Sequence, residues 1–152
     1  MKASDKVYEK SNSITSVEYV RFSHKEYNKV LTSGESVLER QRAAQSLLDY
    51  LCEKYKVSRC RVVVRDCAQP SFRNGRGKTL GRYTTWGIGK RLIEVWNLTA
   101  KQKKVVSIKV FLDTLLHEFM HHYDMEYLKL GATIHCTGFY KRISDLNQKL
   151  AA

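Results

Sequence analysis

Phe111-Leu112-Asp113-Thr114-Leu115-Leu116-His117-Glu118-Phe119-Met120-His121-His122 decides the fold, because one segment carries both a core-building face and a set of reactive side chains. Extended at both ends, the apolar residues Ile108, Phe111, Leu112, Leu115, Leu116, Phe119, Met120 and Tyr123 recur at three- and four-residue steps. That spacing predicts an amphipathic helix starting near Val106 and ending at Gly131. His117 and His121 fall opposite its apolar face. Residues four apart on a helix differ by roughly 40° around the axis and one turn along it, so these two imidazoles can grip one ion. Glu118 is offset to one side, where it suits holding a water instead of the ion, as the general base of zinc-dependent peptide hydrolysis.

A catalytic zinc takes three protein ligands and keeps one position open for water, so a third ligand is required. A third histidine two turns further on, preceded by glycine, is ruled out because positions 124 and 127 hold Asp124 and Tyr127. No glutamate follows Glu126, which sits on the same helix and is badly placed to close a tetrahedron. His135 remains, in a short connection before Thr137-Gly138-Phe139. His122 lies on the apolar side of the helix and is read as a packing histidine, and His24 stands alone. Asp124 shares the face of His117 and His121, either orienting an imidazole or lying exposed. Tyr123, Tyr140 and Arg142 are the candidate oxyanion donors, with core packing the alternative for the tyrosines. Cys136, beside His135, is taken as structural.

Working outward, Ser36 and Glu39 have capping-box spacing ahead of a helical pattern of Val37, Leu38, Ala44, Leu47, Leu48, Leu51 and Tyr55. Arg61 to Arg65 is a β-branched strand signal, and Gln69 to Lys78, with the only proline plus Gly75 and Gly77, is a loop. Leu80 to Trp86 and Lys90 to Asn97 flank Gly87-Ile88-Gly89 and predict a hairpin. Phe139 to Leu150 reads as a final helix through Ile143, Leu146 and Leu150. The expected class is therefore α+β, with a helix packed on a small mixed sheet, then the metal helix and a C-terminal helix. Residues 1–32 are read as a polar extension whose alternating stretch from Ile14 to Phe22 either adds a strand or lies on the surface, and 33–152 as the domain proper.

The chain has 152 residues with 43% hydrophobic content, enough for one domain with a core. No apolar run approaches the roughly 18 residues of a membrane span, and no signal-peptide h-region precedes the domain, so an intracellular protein with no membrane partner is expected. Cys52, Cys60, Cys67 and Cys136 form no Cys-x-x-Cys pair, which argues for reduced thiols rather than disulfides or a thiolate zinc ribbon. Twenty-seven basic residues against fifteen acidic ones give a formal charge of +12, which favours a polyanionic partner such as DNA. The candidate contacts are Arg73, Arg76, Lys78, Arg82, Lys101, Lys103 and Lys104, with Lys90 and Arg91 forming a further basic pair.

The run from Phe111 to His122, with His135 and Phe139 a short way beyond and the strands Leu80-Gly81-Arg82 and Arg91-Leu92-Ile93-Glu94-Val95 upstream, resembles the SprT-like zinc metallopeptidases, the group that includes the Spartan proteases. The resemblance covers roughly Val37 to Leu150, and Cys136 stands where family members often carry glycine. It implies a compact zincin-like domain, one zinc ion per chain on His117, His121 and His135, Glu118 as base, and a monomer acting on proteins crosslinked or tightly bound to DNA. The competing expectation is a nucleic-acid-binding module with a structural zinc and no peptidase activity.

Overall fold

The computed structural model describes residues 3–68 and 80–152. The described elements are α1 (Ala3–Ser13), α2 (Lys25–Leu31), α3 (Val37–Tyr55), β1 (Arg61–Ala68), β2 (Gly81–Trp86), β3 (Lys90–Leu98), α4 (Ile108–Glu126) and α5 (Thr137–Ala151). The three strands form one mixed sheet in the order β1-β3-β2, with β1 parallel and β2 antiparallel to the central β3. This is the expected α+β arrangement. Gln69 to Lys78, read as a loop, lies outside the described residues.

Side-chain alternation fixes which face of the sheet meets the helices. Val62 and Val64 of β1 and Ile93 and Val95 of β3 are buried against α3 and α4, while Arg61, Val63 and Arg65 occupy the other face. Burying the valine and isoleucine side chains contributes about 1.5–3 kcal/mol each. Ser36 caps α3 as predicted, its hydroxyl accepting from Glu39 N at 3.4 Å, and Ser107 caps α4 by accepting from Val110 N at 3.2 Å.

The two edges of the sheet differ. On β1, the amides of Val62 and Val64 donate to Gln45 Oε1 (2.8 Å) and Gln41 Oε1 (2.6 Å). Gln45 Nε2 donates to Cys60 O at 3.0 Å, and Gln41 Nε2 donates to Val62 O. Two glutamines one helical turn apart on α3 thus take the place of a fourth strand and close that edge. Among the described residues no strand or side-chain ladder does the same for β2, whose first residues lie against α4.

The N-terminal segment departs from the sequence reading. Ile14 to Phe22 forms no strand; it is an irregular connection between α1 and α2 that still buries Val17. Tyr27 and Val30 of α2 enter the same core, which continues through Leu47, Leu51, Phe111, Leu115, Phe119 and Leu146. A polar, lysine-rich composition hides this because the segment contributes single apolar residues to the core instead of a periodic stripe.

Candidate metal centre

Helix α4 ends at Glu126, five residues before Gly131, because the Tyr127 and Leu128 amides both turn back to Tyr123 O and Lys129 adopts a left-handed conformation (φ 53°). The chain then folds along the helix, and Gly131 makes a further positive-φ turn (φ 81°) that returns Thr133 and His135 to the level of His117 and His121. α4 is consequently covered on its polar side as well. Glu118, His121, His122 and Asp124 are all buried, whereas the apolar periodicity alone places only one face in the core.

The three histidines read as ligands come together. His135 Nε2 lies 2.9 Å from His121 Nε2 and 3.3 Å from His117 Nε2. Tetrahedral zinc with Zn–N bonds of about 2.0–2.1 Å places its nitrogens about 3.3–3.4 Å apart; the 3.3 Å separation matches that value and the 2.9 Å one is shorter, an arrangement compatible with a metal ion held by the three imidazoles. Among the described residues they are the one group of three histidine, cysteine or acidic side chains whose ligand atoms converge, and no fourth such side chain joins them. Burial, reinforced by the neighbouring His135, lowers the His117 pKa to about 4; burial together with His117 and His135 lowers that of His121 to about 3. Both rings are therefore neutral at pH 7, the form that ligates a metal.

A buried chain of hydrogen bonds fixes how His121 presents itself. Thr133 Oγ1 lies 2.8 Å from His121 Nδ1 and donates to Asp124 Oδ2 at 2.9 Å. Asp124 meets Arg142 Nη2 through both oxygens, at 2.9 and 3.1 Å, and neither residue's side chain is exposed. Burial raises the Asp124 pKa, while Arg142 and Thr133 oppose the rise by holding the ionised form. The Thr133 hydroxyl has one proton and spends it on Asp124, so it accepts from His121 Nδ1–H. That assigns the tautomer and leaves the Nε2 lone pair free to face His117 and His135. Asp124 thus orients an imidazole at second hand and is not an exposed acid.

Glu118 stands beside this group, its Oε2 4.0 Å from His117 Nε2 and its side chain 9% exposed. Burial pushes its pKa up to about 7. Gly81, at the start of β2, touches it so closely that an added Cβ would lie 2.9 Å from Glu118 Cγ and 2.7 Å from Thr114 Cγ2. The glycine therefore lets the sheet edge and the carboxylate share one spot. The sequence gives no periodic signal for this, and none for Thr133.

Other readings are corrected or resolved here. Tyr123 and Arg142 do not face the centre as oxyanion donors: Tyr123 Oη accepts from Glu18 N at 2.9 Å, and Arg142 is buried against Asp124, Ser11 and Ile14. Tyr140 does lie at the centre, half exposed, with its ring 6.0 Å from that of His117 and 6.1 Å from that of His135. His122 is wholly buried and turned to the sheet side, between Tyr83 Oη and Ser58 O at 2.7 Å each, which makes it a structural tie. Cys136 Sγ is 3.4 Å from Ser11 Oγ and all four cysteines are free thiols.

Of the basic residues, Lys101, Lys103 and Lys104 are exposed in the turn between β3 and α4. Arg82 on β2 is ion-paired with Glu94 at 2.8 Å and lies over the Trp96 ring. Arg73, Arg76 and Lys78 lie outside the described residues. Among the described residues no helix is long and apolar enough to cross a membrane. Comparisons of the chain with protein-family models, with curated proteins and with solved structures find no match.

Proposed function

We propose that this chain is a zinc-dependent endopeptidase of the SprT-like, zincin type that cleaves proteins at or near DNA. The observation that carries the reading is the convergence of His117, His121 and His135 through their Nε2 atoms with a buried carboxylate, Glu118, alongside. Three neutral imidazoles suit zinc, which when bound would supply a Lewis acid that acidifies water and polarises a carbonyl. The lack of a fourth converging side chain among the described residues supports a site with an open position rather than a closed structural one.

The residues then divide the work. Glu118, buried beside the three imidazoles, is placed to accept a proton from the attacking water and to pass it to the departing amine nitrogen. The Thr133–Asp124–Arg142 chain holds the His121 ring in place throughout. An extended substrate segment pairs with the edge of β2, which no strand or glutamine ladder closes among the described residues, and this edge begins at Gly81 against Glu118. Tyr140 is the remaining candidate to donate to the developing oxyanion.

The test is proteolysis of an unfolded or DNA-bound protein by the zinc-loaded chain, with and without DNA. Cleavage abolished by Glu118→Gln supports the reading; inactivity under all conditions, or activity indifferent to Glu118→Gln, removes it.

A further inference from the structure

Where the start of β1 meets the β2–β3 hairpin, and reaching round to Gln45 and Asp49 of α3, lies a groove of about 980 Å³. Strand register explains its shape. Arg61 is opposite Leu92 and Val63 opposite Glu94, so these side chains share the outer face, and the β2–β3 hairpin adds Trp86 paired with Lys90 at one end. Five cations line the groove, Arg59, Arg61, Arg65, Lys90 and Arg91, against one carboxylate, Asp49, which accepts from Gln45 Nε2 at 2.9 Å. Arg65 is engaged by Glu94 at 3.0 Å and Arg91 by Glu126 at 3.4 Å. Arg59, Arg61 and Lys90 have no carboxylate partner among the described residues. Trp86, half exposed at 51%, stands at the rim, and the half-buried Val63 and Leu92 add apolar lining.

We infer that this groove binds single-stranded nucleic acid. Arg61 and Lys90 on the strands, with Arg59 just before β1, gather unneutralised positive charge, and a phosphate backbone relieves their repulsion while releasing its own counterions. An exposed indole beside them supplies a stacking face, and only a base free of its partner strand can stack there, which favours single strands over duplex. The groove is concave and its aromatic lies at the rim, the form of a strand-tracking channel. An anionic membrane surface would instead be met by the convex hairpin tip, where Ile88 is fully exposed. None of the groove residues is among the seven candidate contacts, although Lys90 and Arg91 form the further basic pair noted in the sequence; Arg59, Arg61 and Arg65 are distant from that pair along the chain and meet it only through the β1–β3 pairing. The inference rests on the reading above only for its nucleic-acid partner and needs neither metal nor turnover, so its failure leaves the peptidase reading standing.

The test is fluorescence anisotropy of a labelled oligothymidylate with the full chain across a salt series, alongside Trp86 emission. Binding whose log K falls with log salt at a slope of about −2, from three phosphates at about −0.7 each, with quenched indole emission, is the expected result. Arg61→Glu with Lys90→Glu weakens it more than ten-fold, Trp86→Ala weakens it about ten-fold, and Trp86→Phe restores most of that loss. Lys6→Glu with Lys25→Glu, exposed on α1 and α2 and outside the groove, serves as control. The substituted side chains are exposed, and an unchanged melting temperature verifies each fold. Groove variants that bind like the wild type, or that lose no more affinity than the control pair, overturn the proposal. So does equal, Trp86-independent binding of a duplex, or uptake by phosphatidylserine vesicles with no oligonucleotide binding.

Discussion

Thr133 Oγ1 accepts from His121 Nδ1 across 2.8 Å, and a residue twelve positions along the chain thereby sets which nitrogen of the imidazole carries the proton. The hydroxyl is the pivot because its own proton is committed to Asp124. Thr133→Val keeps the shape and removes the pivot. Zinc affinity, measured by competition with a chromophoric chelator, is expected to fall by about 10–100-fold, and Thr133→Ser to retain most of it.

Gly81 is the second position where geometry leaves no freedom. A methyl group there would approach Thr114 Cγ2 and Glu118 Cγ below 3.0 Å, so Gly81→Ala must push either the β2 edge or the carboxylate aside. Overpacking of this kind costs about 1–3 kcal/mol of stability in urea unfolding. A misplaced base costs about 100-fold in turnover while the zinc content stays at the wild-type level. Loss of zinc together with activity would show that Gly81 supports the ligands instead.

The buried Glu118 carboxyl makes the chelator-treated protein sensitive to pH. Its folded pKa of about 7 lies above the ordinary value of 4.5, so its contribution to stability is fully present below about pH 4.5 and is lost as pH rises through 7. The loss amounts to about 3 kcal/mol by pH 8. Glu118→Gln removes the ionisation, and denaturation of the metal-free proteins should find the variant more stable at pH 8 and equal to the wild type near pH 4.5. Parallel stability curves would contradict the burial of this carboxyl.

Arg142 ties three segments together, bridging Asp124 of α4 to Ser11 and Ile14 at the end of α1. Arg142→Met leaves Asp124 buried without its cation and is expected to cost about 3–5 kcal/mol in chemical denaturation. Lys149→Met, which breaks the more exposed pair with Asp145, should cost at most about 1 kcal/mol.

What could be read from sequence were the features whose signal is local. Helical periodicity and the His117–Glu118–His121 spacing placed the metal helix, Ser36 and Glu39 marked the start of α3, and Gly87 and Gly89, both at positive φ, marked the hairpin. His135 was reachable by elimination. The supporting parts were not, because each depends on chain segments meeting after a turn that composition does not encode. Thr133 acts only because Lys129 and Gly131 reverse the chain, and Arg142, read as a candidate oxyanion donor, is instead committed to Asp124 and to the N-terminal segment that packs over it. Gln41 and Gln45 read as ordinary polar helix positions, yet their spacing of one turn matches alternate amides of β1.

Zinc stoichiometry by elemental analysis, on the wild type and on His135→Ala, tests the centre most directly. The three converging imidazoles predict one zinc ion per chain in the wild type and loss of tight zinc from His135→Ala, with the fold retained by circular dichroism. A wild type that takes up no zinc, or a His135→Ala variant that holds it as tightly, would contradict the account.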